Sequence, residues 1–419
     1  MGIPSDDVVV IRHPDSPGEP SVITISCPDK TGLGYDLCRV ILFFGLSIVR
    51  GDVSTDGKWC YIVFWVVGRG DRATRWGLLM KRLLEVCPAV LSASVLYNSY
   101  YRQQEMVAAQ QEEQLFLLKF SCYDRMGLLH DVTQVLCELE LTIRKVKVST
   151  TPDGRVMDLF FITDIRELLH TKRRKEEVCD LLRAVLGDSM TKCDIELASA
   201  EIASSMQASP FLPPTIPEEM FDLDLLEESS KESPSSSNNP SVTMDNSLSP
   251  GHTLIQILCR DHKGLLYDIM RTLKDYNIQI SYGRLYAAQN GNCEIDLLVM
   301  QMDGKKIVDT NKQKALCSRL RLELSSPLRV TVVSRGPDTE LLVANPVELS
   351  GKGRPLVFHD ITCCLKMLQT RIFLAEIGRH VVGDREWEVY RILLSDDCEL
   401  SASKNKIVDG VTKMLMGWE

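Results

Sequence analysis

No apolar run in the 419 residues approaches the roughly 18 needed to cross a bilayer; CYIVFWVVG, one of the longest, covers only Cys60 to Gly68. A membrane contact is therefore not expected. Also missing are G-x-S-x-G, G-x-x-x-x-G-K-[ST] and a G-x-G-x-x-G opening a helix, so neither a nucleophile elbow nor a phosphate or dinucleotide cradle is indicated. Gly68-Arg69-Gly70 follows a strand-like run but lacks the third glycine. The fourteen cysteines include no C-x-x-C pair and no spaced His/Cys set, so no metal, cofactor or catalytic residue is expected. Several cysteines recur at one place in a repeated strand, where a reduced thiol acts as a small apolar group, and this points to a reducing compartment. The N-terminus has neither the basic start and apolar core of a signal peptide nor the Arg-rich character of a transit peptide, and Asp6 spoils a myristoylation pattern at Gly2.

Charge of one sign is scarce outside a single segment. The formal net charge is 48 minus 57, or −9, and residues 204–250 carry eight acids and one lysine, or −7, leaving the remainder near −2. With no basic stripe to neutralise phosphates, nucleic acid is not expected as a partner. Lys172 to Lys175 (KRRK) reads as a solvated helix face.

What the chain has is repetition. CPDKTGLGYDL (Cys27–Leu37), CYDRMGLLHDV (Cys122–Val132) and CRDHKGLLYDI (Cys259–Ile269) hold Cys, Asp, Gly, Leu and Asp in register. Each ends a strand-like run, and beyond the glycine the apolar positions fall at helical spacing: Leu33, Leu37, Val40, Ile41 and Phe44 in the first copy, Leu128, Val132, Val135, Leu136 and Leu139 in the second. Two further strand-like runs turn at Asp56-Gly57, Asp153-Gly154 and Asn290-Gly291, and a second amphipathic helix and last strand follow. The order β-α-β-β-α-β is that of a ferredoxin-like unit. A fourth copy appears after residue 338, where Val357, Ile361, Cys364, Leu365 and Leu368 take the same helical positions. It carries Leu356 in place of Gly32, Gly127 and Gly264, and an altered or absent site is expected there.

The expected fold is thus α+β: four ferredoxin-like repeats with antiparallel sheets, at 20–104, 112–200, 252–336 and 338–419, with units paired side by side. Residues 204–250, with seven prolines and twelve serines, read as a disordered acidic linker. The linker divides the repeats into two sequential pairs, and the short connection within each pair would let neighbours pack.

A tandem of units carrying D-x-x-G-L between first strand and first helix resembles the ACT domain family, and four copies resemble the plant ACT domain repeat (ACR) proteins. The loop is also similar to the sensory modules of the bacterial uridylyltransferase that monitors glutamine. The resemblance implies a non-catalytic, regulatory amino-acid sensor in which paired units bind a free amino acid through this loop. Its candidate ligand-binding residues are Asp29, Gly32 and Leu33, Asp124, Gly127 and Leu128, and Asp261, Gly264 and Leu265. Helix-start N–H groups would suit the ligand's carboxylate and the aspartate its ammonium. The bland alternative makes each aspartate an N-cap or Asx-turn residue.

His130-Asp131 and His359-Asp360 occupy a position held elsewhere by Tyr35 and Tyr267, which argues against metal binding. Asp158, Asp296 and Glu388 line up on the third strand, opposite Tyr61 in the first copy, as a strand-face feature. A competing function is a protein-interaction scaffold with empty loops, docking a protein partner through EEMFDLDLLEE (Glu218–Glu228), a segment near three Ser-Pro sites. A homodimer and a cytoplasmic location, with the nucleus left open, complete the expectations.

Overall fold

The computed structural model describes residues 8–16, 18–68, 74–88, 114–151, 153–164, 166, 168–199, 220–221, 239–287, 291–335, 338–347, 351, 353–382, 385–394 and 403–417. In chain order its elements are β1 (Val9–Arg12), β2 (Ser21–Pro28), α1 (Leu33–Phe43), β3 (Leu46–Thr55), β4 (Trp59–Gly68) and α2 (Trp76–Val86) for the first repeat. The second comprises β5 (Phe116–Tyr123), α3 (Leu128–Glu138), β6 (Leu141–Thr150), β7 (Arg155–Asp164), α4 (Lys172–Leu186) and β8 (Met190–Leu197). The third has β9 (Ser241–Asp245), β10 (Thr253–Arg260), α5 (Leu265–Asp275), β11 (Ile278–Ala287), β12 (Asn292–Gln301) and α6 (Thr310–Ser325). The fourth has β13 (Arg329–Arg335), β14 (Asp338–Pro346), α7 (Val357–Met367), β15 (Ile372–Val382), β16 (Arg385–Leu394) and α8 (Lys404–Met416). The anticipated helical positions carry the packing: Leu33, Leu37 and Ile41 of α1 and Leu128, Val132, Val135 and Leu136 of α3 are buried.

The repeats do not pair in sequence order. One compact unit unites repeats 1 and 3 in a single eight-stranded sheet, β1-β2-β4-β3-β11-β12-β10-β9. A second unites repeats 2 and 4 as β13-β14-β16-β15-β6-β7-β5-β8. Side-by-side joining is as expected, but the partners are separated by the linker instead of flanking a short connection.

Each junction is antiparallel and has a local two-fold axis. Asp52 lies opposite Arg284, and Lys147 opposite Glu376. All four residues stand at one position of their repeats, 19 residues beyond the helix starts Leu33, Leu265, Leu128 and Val357. Two copies of one repeat would set identical charges against each other there, which opposes self-pairing. Above the sheets equivalent helix residues also meet: Tyr35 with Tyr267 at 5.1 Å between ring centroids, His130 with His359 at 5.0 Å, and Thr133 with Thr362 at 3.0 Å.

Edge strands depart from the simple block order. Repeat 2 closes its sheet with its own last strand, β8, against β5. The same edge beside β2, β10 and β14 is held by β1, β9 and β13, each preceding the strand it pairs with. Thus β13, inside the 252–336 block by sequence, belongs to the sheet of repeat 4. The run Val90 to Asn98, expected as repeat 1's last strand, lies outside the described residues.

The linker expectation is corrected in two places. Residues 241–245 form β9, and Met220 and Phe221 are buried on the second unit with Leu342, Ala344, Trp387 and Val389. Apolar area opposite β14 and β16 explains this: both strands bury nearly every residue, as strands covered on both faces do. Arg329 Nη1 donates to the Met220 carbonyl at 2.9 Å. The rest of 204–238 lies outside the described residues.

Two outcomes test this pairing. A chain cut between Ser229 and Asn238 should yield halves that copurify and lose their folded signal when separated, since each sheet draws one repeat from each half; independently folded halves would contradict it. Asp52→Arg should destabilise by up to about 1 kcal/mol, with recovery in the Asp52→Arg/Arg284→Asp double variant, read by urea unfolding.

Candidate functional site

The loops after β2, β5 and β10 share one conformation. Gly32, Gly127 and Gly264 have φ of 77°, 75° and 83° and start α1, α3 and α5. No side chain caps any of these helices. The aspartates therefore do not play the N-cap role. Their backbone N–H groups instead tie the loop to the following hairpin, from Asp29 to Lys58 O at 2.9 Å, Asp124 to Gly154 O at 2.8 Å and Asp261 to Gly291 O at 2.8 Å. Leu356 takes the same left-handed conformation, φ 66°, which a β-carbon disfavours. The fourth repeat keeps the turn and changes its chemistry.

Glycine serves a second purpose at two loops. A β-carbon on Gly32 would stand 3.2 Å from Cδ and Cε of Lys274, and one on Gly127 would lie 2.6 Å from Cδ of Lys366. A lysine from the paired repeat thus crosses each glycine. Lys274 Nζ sits 4.5 Å from the Tyr35 ring centroid. Lys366 Nζ donates to Asp131 at 2.7 Å, and Arg125 reaches the other oxygen of that carboxylate at 2.6 Å. Although partly desolvated, Asp131 is held below the usual carboxylate range by these two cations.

Each unit has a cleft where its repeats meet. In the first unit, a space of about 340 Å³, counting its mouth, is lined by Asp261, Gly264 and Leu265 and mainly by aliphatic residues of repeat 1. In the second, about 450 Å³ is lined by Asp124, Gly127 and Leu128 with Arg125, Lys366 and Arg371. Asp29 accepts a 2.7 Å bond from Thr55, and burial raises its carboxyl against that bond. Leu33 is buried in the first unit's core. Burial likewise raises Asp124, while Arg371 acts in the opposite direction.

One residue in the second cleft was read from the sequence as a strand-face feature. Asp158 is 1% exposed, lines the cleft, and neither carboxylate oxygen has a hydrogen-bond partner. Burial, then the charge of Asp124, pushes its carboxyl well above the usual range. The alignment with Asp296 and Tyr61 was one residue out of register. Asp158 pairs with Phe120 as Ile62 does with Ile25 and Ile295 with Ile257, so its counterparts are isoleucines. A slip of one residue moves a side chain to the other face: Tyr61 is exposed, and Asp296 accepts from Gln256 on the outer surface. The alternation Val156, Asp158, Phe160, all buried, was the available signal.

In repeat 4 the corresponding residue is Tyr390, opposite Val343 and Ile377, and two residues before it the acid Glu388, opposite Asn345, is satisfied internally. It accepts from Asn345 at 3.2 Å and from Tyr390, and pairs with Arg379 at 3.4 Å. A β-carbon on Gly353 would stand 2.6 Å from Asn345 Nδ2, so this group fills its own pocket. Among the described residues no group of three His, Cys, Asp or Glu side chains could hold a metal, and the cysteines are free thiols.

Asp158→Asn should stabilise the protein by about 1–3 kcal/mol at neutral pH, because the neutral amide removes an ionisation that burial opposes in the folded state and water permits in the unfolded one. With the folded carboxyl above its unfolded value of 3.8, the unfolded chain ionises first. The gain should therefore be absent below about pH 4 and grow as pH rises. Urea unfolding at pH 4 and pH 7 measures it, and an equal difference at both would assign the titration elsewhere.

Comparison with known proteins agrees with this architecture. Residues 11–88 match the N-terminal domain of ACT domain-containing protein ACR10, 116–180 the ACT domain, 241–338 the ACR9-like, ACT-like domain, and 339–417 the ACR9 C-terminal domain. ACT domain-containing protein ACR10 of Arabidopsis thaliana is 58% identical over 419 residues, covering all of both chains. ACR9 of the same organism is 52% identical over 423 residues, again covering all of both. The bifunctional uridylyltransferase/uridylyl-removing enzyme of Rhodospirillum rubrum is 25% identical over 210 residues, which is 50% of this chain and 19% of that enzyme. Four ACT-type repeats and whole-length identity above one half mean that the chain belongs to the ACR family of ACT domain-containing regulatory proteins.

Proposed function

We propose that the protein is a non-catalytic amino-acid sensor whose ligand lies in the clefts between paired repeats. The observation that carries this reading is the coincidence, in one loop, of a helix start without a side-chain cap and a half-buried aspartate, facing a cleft completed by the other repeat. The helix start carries partial positive charge and suits a carboxylate. The aspartate suits an ammonium group, so one loop addresses both ends of a zwitterion.

A ligand touching both repeats favours the arrangement in which it makes more contacts, and that difference in affinity constitutes the signal. Because the pairing is within one chain, no second copy is needed to complete a cleft. A cytoplasmic or nuclear setting is part of this proposal; among the described residues no helix is long and apolar enough to cross a membrane. The scaffold reading is weakened by Met220 and Phe221, two apolar residues of the acidic motif that are already buried on the chain's own second unit.

A thermal-unfolding screen against each free amino acid at millimolar concentration tests the reading. A ligand at about 100 times its dissociation constant should stabilise the unit that binds it by roughly 2.7 kcal/mol. The shift should be confined to one or a few amino acids and vanish in the Asp29→Asn/Asp124→Asn/Asp261→Asn variant, whose ligand-free melting is retained. A well-folded protein that responds to none would turn attention to protein partners.

A further inference from the structure

Equivalent positions on the third strand of the four repeats carry three kinds of side chain. Two hold isoleucine, Ile62 and Ile295, each 1% exposed. One holds Tyr390, also buried, whose hydroxyl donates to Glu388. The last holds Asp158, as buried as the isoleucines, with both oxygens unpartnered and lining the cleft. The fold itself requires no charged side chain there, and an unsatisfied buried carboxyl opposes folding. An acid kept under that penalty needs a partner from outside the chain.

The surroundings define the partner. The cleft that Asp158 lines also holds Asp124 and Arg125 from the β5–α3 loop, His130 from α3, Lys366 from α7 and Arg371 ahead of β15, and the buried Cys122 thiol of β5 feels the charge of Asp158 from the same sheet. Three permanent cations are unsuited to a bare cation, so the guest must carry negative charge as well. Lys366 gives one bond to Asp131, and an ammonium group has three donors, leaving two for a guest.

We propose that the cleft of repeats 2 and 4 is a zwitterion site in which the Asp158 carboxylate joins the loop's Asp124 in receiving the ligand's ammonium group while the α3 start, Lys366 and Arg371 hold its carboxylate. This rests on the amino-acid reading and assigns it to one unit and one further recognising residue. In the ligand-free protein burial favours the protonated form of Asp158. The ammonium-bearing ligand compensates the anion, so Asp158 gives its proton to solvent as the ion pair forms. No bond other than that O–H is broken.

Titration calorimetry on the full chain tests this, using the amino acid found in the thermal screen and its N-acetyl derivative, in two buffers of different ionisation enthalpy. Wild type should bind the amino acid with release of up to one proton and reject the N-acetyl form. Asp158→Asn should bind about tenfold or more weakly and release no proton, while melting at or above the wild-type temperature without ligand. Asp158→Ile, the residue of repeats 1 and 3, serves as a second fold-preserving variant. Unchanged affinity and proton count in both variants would overturn the Asp158 assignment and leave the amino-acid reading standing. Binding of the N-acetyl form by wild type as tightly, without proton release, would overturn it with no need of a variant. Absence of binding by any amino acid would remove both.

Discussion

The antiparallel joining of β3 to β11 and of β6 to β15 is the constraint on which the rest of the structure depends. A ferredoxin-like sheet ends in a strand with unpaired backbone groups, an edge open to association with any other strand. Here the edge of each repeat is closed by another repeat of the same chain. The oppositely charged pairs on the local axes, Asp52 with Arg284 and Lys147 with Glu376, favour unlike repeats over copies of the same one.

Joining the edges fixes what lies above the sheet. It brings α1 against α5 and α3 against α7, so that Tyr35 meets Tyr267 and His130 meets His359. It also carries Lys274 across Gly32 and Lys366 across Gly127. The loop glycines thus answer to two demands, a left-handed turn and the close passage of a lysine stem from the paired repeat. A cleft built this way belongs to neither repeat alone, and its occupancy bears on how firmly the two halves hold together.

The two units diverge in polarity. Around the Asp261 loop the walls are mostly aliphatic, whereas the Asp124 loop faces a buried acid and three cations. Repeat 4 has Tyr390 at the matching strand position, and its own buried acid two residues earlier, Glu388, is bonded by Asn345, Tyr390 and Arg379. The contrast separates a polar group that completes a folded network from one whose oxygens have no hydrogen-bond partner in the fold.

The sequence by itself determined the elements and the turn. Helical spacing after Leu33, Leu128, Leu265 and Val357 and the D-x-x-G-L loop are local features, and local periodicity is readable without a partner. Even Leu356, which breaks the glycine pattern, adopts the same turn because the surrounding repeat dictates it. Which repeats pair was decided only in three dimensions, since edge strands of similar composition can join in several combinations. The short connections between neighbours suggested sequential pairs, and the sheets cross the linker instead. Asp158 was obscured for a related reason. A strand's two faces alternate residue by residue, and small differences in hairpin length shift the apparent alignment by one, so hydrogen-bond register was needed to set Asp158 beside Ile62 and Ile295 in the core.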